Sequence, residues 1–425
     1  MKKLTKIFIL SITVFFTGLA SASQLPSLEG LINWRYFTDD EKVKSAKLSS
    51  QLLTLSASPV ERLNGLNYLN TLRNGAGLIS YSANSLLDSA AQNHTDYLIL
   101  NNTFGHYEVE NNPGFTGVAP VNRVTAAGYG VTSIGENLSA GNNDIYESID
   151  GLFSAIYHRF GFLGFNHNEI GIGSSYDDNY IYKSVYGFDM ANAGDISATR
   201  QLNPQYVLWP HNNYSNAQTS FNNSESPDPT PECPSGGITG NPISIEFNPE
   251  KDSAITMNSF KLFRDDGSEL TNIKNLTANL NDDQFVIFPM TSLSLDSRYR
   301  AEFNYTESGV VKNISWNFNT RRYTDKRYEV TDSNTYDVIS GQSYIIHLKP
   351  EDCTISLSSY GWDNSIGTVV ERLSPDIFRI SITRDTTFYS GSLTYTLHIA
   401  QSDNAIEPSL LTPSFIVPII NYLLF

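Results

Sequence analysis

The apolar residues of this chain change their period partway along it, and that change limits the architectures open to it. In VERLNGLNYLNTLRNGAGL, Leu63, Leu66, Leu69 and Leu72 recur near helical spacing, and Gly75 and Gly77 stop the run. ANSLLDSAAQNHTDYLILNN repeats the pattern, with Leu87, Ala90, Ala91, His94 and Leu98 on one face. Residues 104–130 are rich in Gly, Pro and Asn and read as loop. A third helix is predicted from about Asp144 to Phe160, and strands at Glu169–Ser174 and Tyr180–Phe188. Beyond residue 240 helical spacing gives way to short alternating runs, ISIEF, SFKLF, QFVIF, YRAEFNY and ISWNFNT, separated by DDG, NDD and ESG turns. Strands at that spacing predict a β-sandwich. YIIHL, TISLS, FRISIT and LTYTLHI predict a second all-β stretch.

Between the two regimes, NNYSNAQTSFNNSESPDPTPECPSGG reads by composition as a linker or extended strap. The expected organisation is a signal peptide over 1–22, a leader over 23–57, a mixed α/β domain over 58–195 and a strap over 196–240. A sandwich over 241–322, a second all-β domain over 323–404 and an apolar tail over 405–425 follow. The tail, broken by Pro413 and Pro418, is too short and interrupted for a membrane helix and is expected as a last buried strand.

Lys2, Lys3 and Lys6, an apolar run over 7–16 and Ala20-Ser21-Ala22 form a secretory signal, with the mature chain expected to start at Ser23 or Gln24. No transmembrane span is expected after its removal. A net charge of −16 argues against a nucleic-acid partner, whose phosphates need a basic surface. An oxidising compartment would permit Cys233 and Cys353 to form one bridge; two unrelated free thiols would give the same count.

Projected at about 100° per residue, Ile145, Ile149, Leu152 and Ile156 share a stripe, and His158 falls opposite with Ser154 and Glu147. His158 is therefore expected on a cleft wall or a solvated face rather than in the core. His106 and Glu136 sit in the loop-like segments NTFGHYEVE and IGENLSAG, where functional groups and solvated charges both concentrate. His94, on an apolar face, reads as a satisfied structural histidine, and His167 carries no role.

Taken in order, LNYLNTLRNGAGL, AAQNHTDYL, FGH, GEN, YHR and EIGIG resemble the CAP superfamily, the cysteine-rich secretory, antigen 5 and pathogenesis-related-1 proteins. The resemblance spans about residues 58–192, with the window from His158 to Gly173 closest to the bacterial branch. It implies an α+β chain: an α-β-α sandwich CAP domain with a cleft, followed by one or two all-β domains of Ig-like sandwich type. It also implies a cleft tetrad of two histidines and two acids. His106, Glu136 and His158 match three members. The fourth is open between Glu147, about 16 Å along the helix axis from His158, and Glu169.

Two imidazoles with carboxylates suit Zn²⁺ or another divalent cation, held by His106 and His158, and a metal-bound water could act as nucleophile. No dedicated protease signature is present, and no enzymatic activity is assigned. The leading expectation is an exported protein, secreted, periplasmic or at the cell surface, whose cleft binds a divalent metal or a small apolar ligand. The alternatives are a metal-assisted extracellular hydrolase and a surface adhesion or scaffolding protein using its β-domains.

Overall fold

The computed structural model describes residues 57–408, apart from 253, 355, 358, 392 and 401–403. The expected signal peptide, nearly all of the leader and most of the apolar tail lie outside the described residues.

Helix α1 (Pro59–Gly75) begins where Ser58 accepts a hydrogen bond from the Glu61 N–H, with Pro59 at a position whose missing N–H costs nothing. Leu69 and Leu72 are buried, but Leu63 is exposed, since it lies six residues before Leu69 and about 240° round the helix. Helix α2 (Ser85–Leu100) buries Leu87, Ala90, Ala91, His94 and Leu98, the face expected from spacing. A short helix α3 (Pro120–Ala126) lies within the stretch expected as loop.

The predicted third helix is two. Helix α4 (Ile145–Ser154) and helix α5 (Ile156–Leu163) are separated by Ala155, whose φ of −75° and ψ of 116° are extended. The expected stripe is split accordingly. Ile145, Ile149 and Leu152 join the core around Phe188 and Met190, while Ile156 packs with Phe221 and Phe288 from beyond the domain. His158 is therefore a first-turn residue of a new helix, and its projection onto a continuous one does not hold.

Strands β1 (Ser82–Ala83), β2 (Ser133–Ala140), β3 (Glu169–Tyr176) and β4 (Ser184–Asn192) form a sheet in the order β1-β3-β4-β2, with β1 parallel to β3 and the other pairs antiparallel. Helices cover both faces. Ile170 and Ile172 face α1 and α4. A Cβ on Gly171 or Gly173 would stand 2.0 or 2.4 Å from the α2 backbone. Gly-Ile-Gly thus lies mid-strand and lets a helix rest on the sheet. YIYKSVYGF is also divided. Its first part is a turn, with Lys183 at a left-handed φ of 67°, and β4 is buried throughout because both neighbours and both faces are covered.

The stretch expected as a strap is nearly half regular structure. It holds α6 (Ile196–Leu202), β5 (Tyr206–Trp209), β6 (Tyr214–Ala217), β7 (Ser220–Asn222) and β8 (Ile238–Gly240). β5 joins β9 (Ile243–Phe247), β12 (Gln284–Pro289) and β11 (Ile273–Leu276). β6 joins β14 (Val310–Thr320), β13 (Arg298–Glu307) and β10 (Ile255–Arg264). These two sheets enclose Ile245, Phe247, Phe303, Trp316 and Phe318. Val207 and Trp209 of β5 pack with the α/β core, and Ala217 of β6 packs with the sandwich.

A second all-β unit follows. β15 (Lys326–Val330), β17 (Ser343–Leu348), β20 (Ile377–Ile382) and β19 (Thr368–Ser374) face β16 (Thr335–Val338), β22 (Leu393–Ile399), β21 (Thr386–Ser390) and β18 (Tyr360–Trp362) across a core including Ile346, Phe378 and Tyr395. In TISLS, Ser356 forms an isolated bridge with Gly237.

The α/β domain and the first sandwich share a buried junction. Arg159 is fully buried and donates to the Phe153 and Pro242 carbonyls, to Asn241 Oδ1 and to Ser244 Oγ. Asp150 accepts from Tyr68 and from Arg321. The segment around β7 reaches all three parts. Phe221 packs on α5, Ser220 donates to buried Asp376, and Cys233 is disulfide-bonded to Cys353. The cysteines are therefore a bridge, the first of the two readings their number allowed.

Candidate functional site

His106 follows α2 in a loop and Glu136 lies on edge strand β2. The His106 Nδ1–H donates to Glu136 Oε1 at 2.8 Å. The carboxylate fixes that tautomer, so Nε2 is the free atom of the neutral ring. The His106 side chain is 42% exposed and that of Glu136 only 2%.

Behind this pair is a buried charge network. Glu136 Oε2 accepts from Arg123 of α3, and Arg123 also donates to the His106 carbonyl. His94 on α2 directs Nδ1 at Glu108 Oε1 (2.9 Å) and Nε2 at the Gly105 carbonyl (3.0 Å). Both nitrogens face acceptors, which only the doubly protonated ring satisfies. Glu108 also accepts from the Thr116 and Gly117 N–H groups. Two cations thus stand against two carboxylates with no solvent to screen them, the condition under which buried charges are tolerated. His94 is the structural histidine expected.

Asp189 on β4 is directly opposite Glu136 on β2, and both its carboxyl oxygens lack a hydrogen-bond donor. Burial, and then the charge of Glu136, push its pKa well above the ordinary aspartate range. Burial also acts to raise Glu136, but the hydrogen bond from His106 and the charges of His94 and Arg123 outweigh it and leave Glu136 low. The two carboxyl groups of the pair are thus pushed in opposite directions. Asp189 was not foreseen. In SVYGFDMAN it is the one acid, and the whole run is buried.

His158 lies on the other side of β2. Consecutive strand residues face opposite ways: Glu136 turns to α2 and α3, whereas Asn137 donates to the His158 carbonyl at 2.8 Å. The His158 Nδ1–H donates at 2.9 Å to Glu225 Oε1, an acid absent from the sequence candidates. Neither Nε2, of His106 or of His158, has a hydrogen-bond partner among the described residues.

Glu169 and Glu147, the two candidates for the fourth acid, are engaged elsewhere. Glu169 accepts from Asn84 (2.9 Å) and from Tyr129 (2.7 Å), which ties β3 to the loops around it. Glu147 sits in the first turn of α4 and accepts from the Asn143 N–H at 2.7 Å, an exposed capping contact. His167 bonds Ser133 at 3.0 Å, and burial, then the charge of Arg73, bring its pKa down to about 4.

A metal does not fit this donor set. The oxygens of Glu136 and Glu225 are occupied by N–H donors, which leaves one nitrogen from each histidine. Among the described residues no three His, Cys, Asp or Glu side chains are grouped to hold an ion. Arg123 and His94 already stand against Glu136, and Glu225 is taken up by the N–H groups that start α5.

Residues 66–188 match the CAP family, described as the cysteine-rich secretory protein family, so this stretch is a CAP domain. No curated protein matches the chain. Among solved structures, the chain is similar to an extracellular protein containing a SCP domain from Bacillus anthracis, with 20% identity and a TM-score of 0.27 over 31% of this chain and 40% of that one. It thus spans less than half of that protein. It is also similar to an outer surface protein from Borrelia burgdorferi, with 15% identity and a TM-score of 0.26 over 30% of this chain and 88% of that one.

Proposed function

We propose that this chain is an exported CAP-domain protein that binds a small amphipathic ligand, whose polar head meets an imidazole Nε2. The observation that carries this reading is the paired geometry of His106 and His158. Each has Nδ1 held by a buried carboxylate and Nε2 without a partner. Such an imidazole presents one well-oriented polar atom. Around His106, Phe104 (43% exposed), Tyr107 (72%) and Tyr182 (46%) offer apolar surface for the ligand body. Phe104 and Tyr182 pack edge to face at 5.8 Å. No helix among the described residues is long and apolar enough to cross a membrane. The two all-β units are read as an Ig-like stalk for the CAP domain.

A hydrolase reading has less support, because no Ser, Thr or Cys side chain bonds either Nε2 among the described residues. The test is fluorescence titration of the full mature chain with dansylated undecanoic acid, beside calorimetry with Zn²⁺. Saturable dansyl binding that weakens in His106→Ala and Phe104→Ser supports the proposal. Equal binding by the His106→Ala/His158→Ala double variant overturns it. Stoichiometric Zn²⁺ uptake abolished in that double variant would replace it with a metal-binding function.

A further inference from the structure

The helix break at Ala155 leaves a problem that the CAP domain does not solve itself. Helix α5 starts after Ala155, which has no side chain to cap the helix. The first N–H groups of a helix have no partners within it, and they carry the positive end of its dipole. Ile156 is fully buried, so its N–H cannot turn to water. Glu225 supplies the missing acceptor from 69 residues further on. Its Oε2 accepts from the Ile156 N–H at 2.7 Å. Its Oε1 accepts from the Tyr157 N–H (2.7 Å), the His158 N–H (3.1 Å) and the His158 Nδ1–H (2.9 Å). The Glu225 side chain is fully buried and that of His158 is 21% exposed.

From this arrangement the geometry points to Glu225 as the positioning residue of His158: an acid outside the CAP match completes that half of the site. The inference rests on the reading that His158 offers Nε2 to a ligand, and it names what holds the ring in that state. Four N–H donors meet two oxygens, so the position requires a carboxylate. Glutamine would turn an NH₂ group against at least one of those donors. Glu225 is itself placed by the segment around it. Asn223 donates to the Cys233 carbonyl at 3.1 Å, its N–H pairs with the Gly237 carbonyl, and Cys233 is bridged to Cys353. The orientation of a CAP-domain histidine therefore depends on chain that belongs with the β units.

The test reads the imidazole directly and needs no ligand. The full mature chain is labelled with ¹⁵N-histidine, His158 is assigned with His158→Ala, and long-range ¹H–¹⁵N spectra identify which ring nitrogen carries the proton. The neutral His158 ring is expected to be protonated at Nδ1 in the wild type, and to shift to predominantly Nε2–H in Glu225→Gln and Glu225→Ala. His106 signals are expected to stay unchanged. A role confined to capping α5 would move the amide resonances of 156–158 and leave the tautomer as it was. A wild-type ring protonated mainly at Nε2, or an unchanged Nδ1–H tautomer in either folded variant, overturns the inference. The wild-type spectrum alone decides if both variants fail to fold. Because no ligand is present, a failure here is separate from a failure of dansyl binding.

Discussion

His106 and His158 present the same chemistry and are held in opposite ways. The carboxylate of His106 is locked inside one domain by Arg123, with His94, Glu108 and Asp189 behind it. The carboxylate of His158 arrives from another part of the chain and is held chiefly by the N–H groups of a helix start. The first arrangement depends on opposite charges that must all be present. The second depends on backbone dipoles, which substitutions on α5 leave in place unless they introduce proline. A network of compensated charges is costly to break at any member, whereas a backbone socket is sensitive mainly to whether its occupant is delivered.

The sharpest way to break the comparison is Arg123→Met. It leaves Glu136 and Glu108 buried with too little positive charge, and removal of one partner from such a set costs about 3–5 kcal/mol. Urea denaturation should register that loss, and a change below about 1 kcal/mol would show that the network is not held by its charges.

Next in size is Cys233→Ser/Cys353→Ser. Loss of a bridge enclosing a long loop is expected to cost about 2–4 kcal/mol. The imidazole spectra should then separate the two histidines, with His158 signals broadened or shifted and those of His106 unmoved. Equal disturbance at both would deny the separate tethering of Glu225.

Acidity distinguishes the pairs more gently. Asp189 has a folded pKa raised above its unfolded value, so its contribution is fully present below the ordinary aspartate range and is lost as pH rises towards the folded pKa. Glu136 is lowered, so its contribution is present above the ordinary glutamate range and is lost as pH falls through the folded pKa. Asp189→Asn should remove the first slope, so that urea midpoints measured from about pH 4 to pH 8 fall less with rising pH than in the wild type. Parallel profiles for the two proteins would show that Asp189 is not raised in the folded state.

The smallest effect belongs to Glu147→Ala. Loss of an exposed capping contact is worth about 0.5–1 kcal/mol, and both histidine tautomers should persist. A tautomer change at His158 would return Glu147 to the site.

The comparison also explains what could be read in advance. His106 and Glu136 were recognisable because each sits in a short family-like string, FGH and GEN, and their contact is made within the CAP match. Arg123 and Asp189 were not, since partnership across a fold leaves no local spacing. Glu225 was hidden twice. It lies in NNSESPDP, a polar composition that reads as linker, and the vacancy it fills arises from a helix break that a continuous apolar stripe conceals. The one available signal was the absence of Ser, Thr, Asp or Asn at Ala155, visible only once the break is known. In the β units, five alternating runs fall inside β9, β10, β12, β13 and β14, because alternation is the direct imprint of a sheet with one buried face. β5 and β6 escaped because four-residue strands are too short to show a period.

The bridge between Cys233 and Cys353 has a sequence separation of 120. It turns the first sandwich's main strands, β9 to β14, into part of a covalent ring. A protease that cuts once within that ring yields two polypeptides but not two molecules, and they part on a denaturing gel only after a reducing agent is added. The piece that carries Glu225 also carries the whole CAP domain, so a nicked chain keeps His158 and its acid on one fragment, with the last β unit still attached through sulfur.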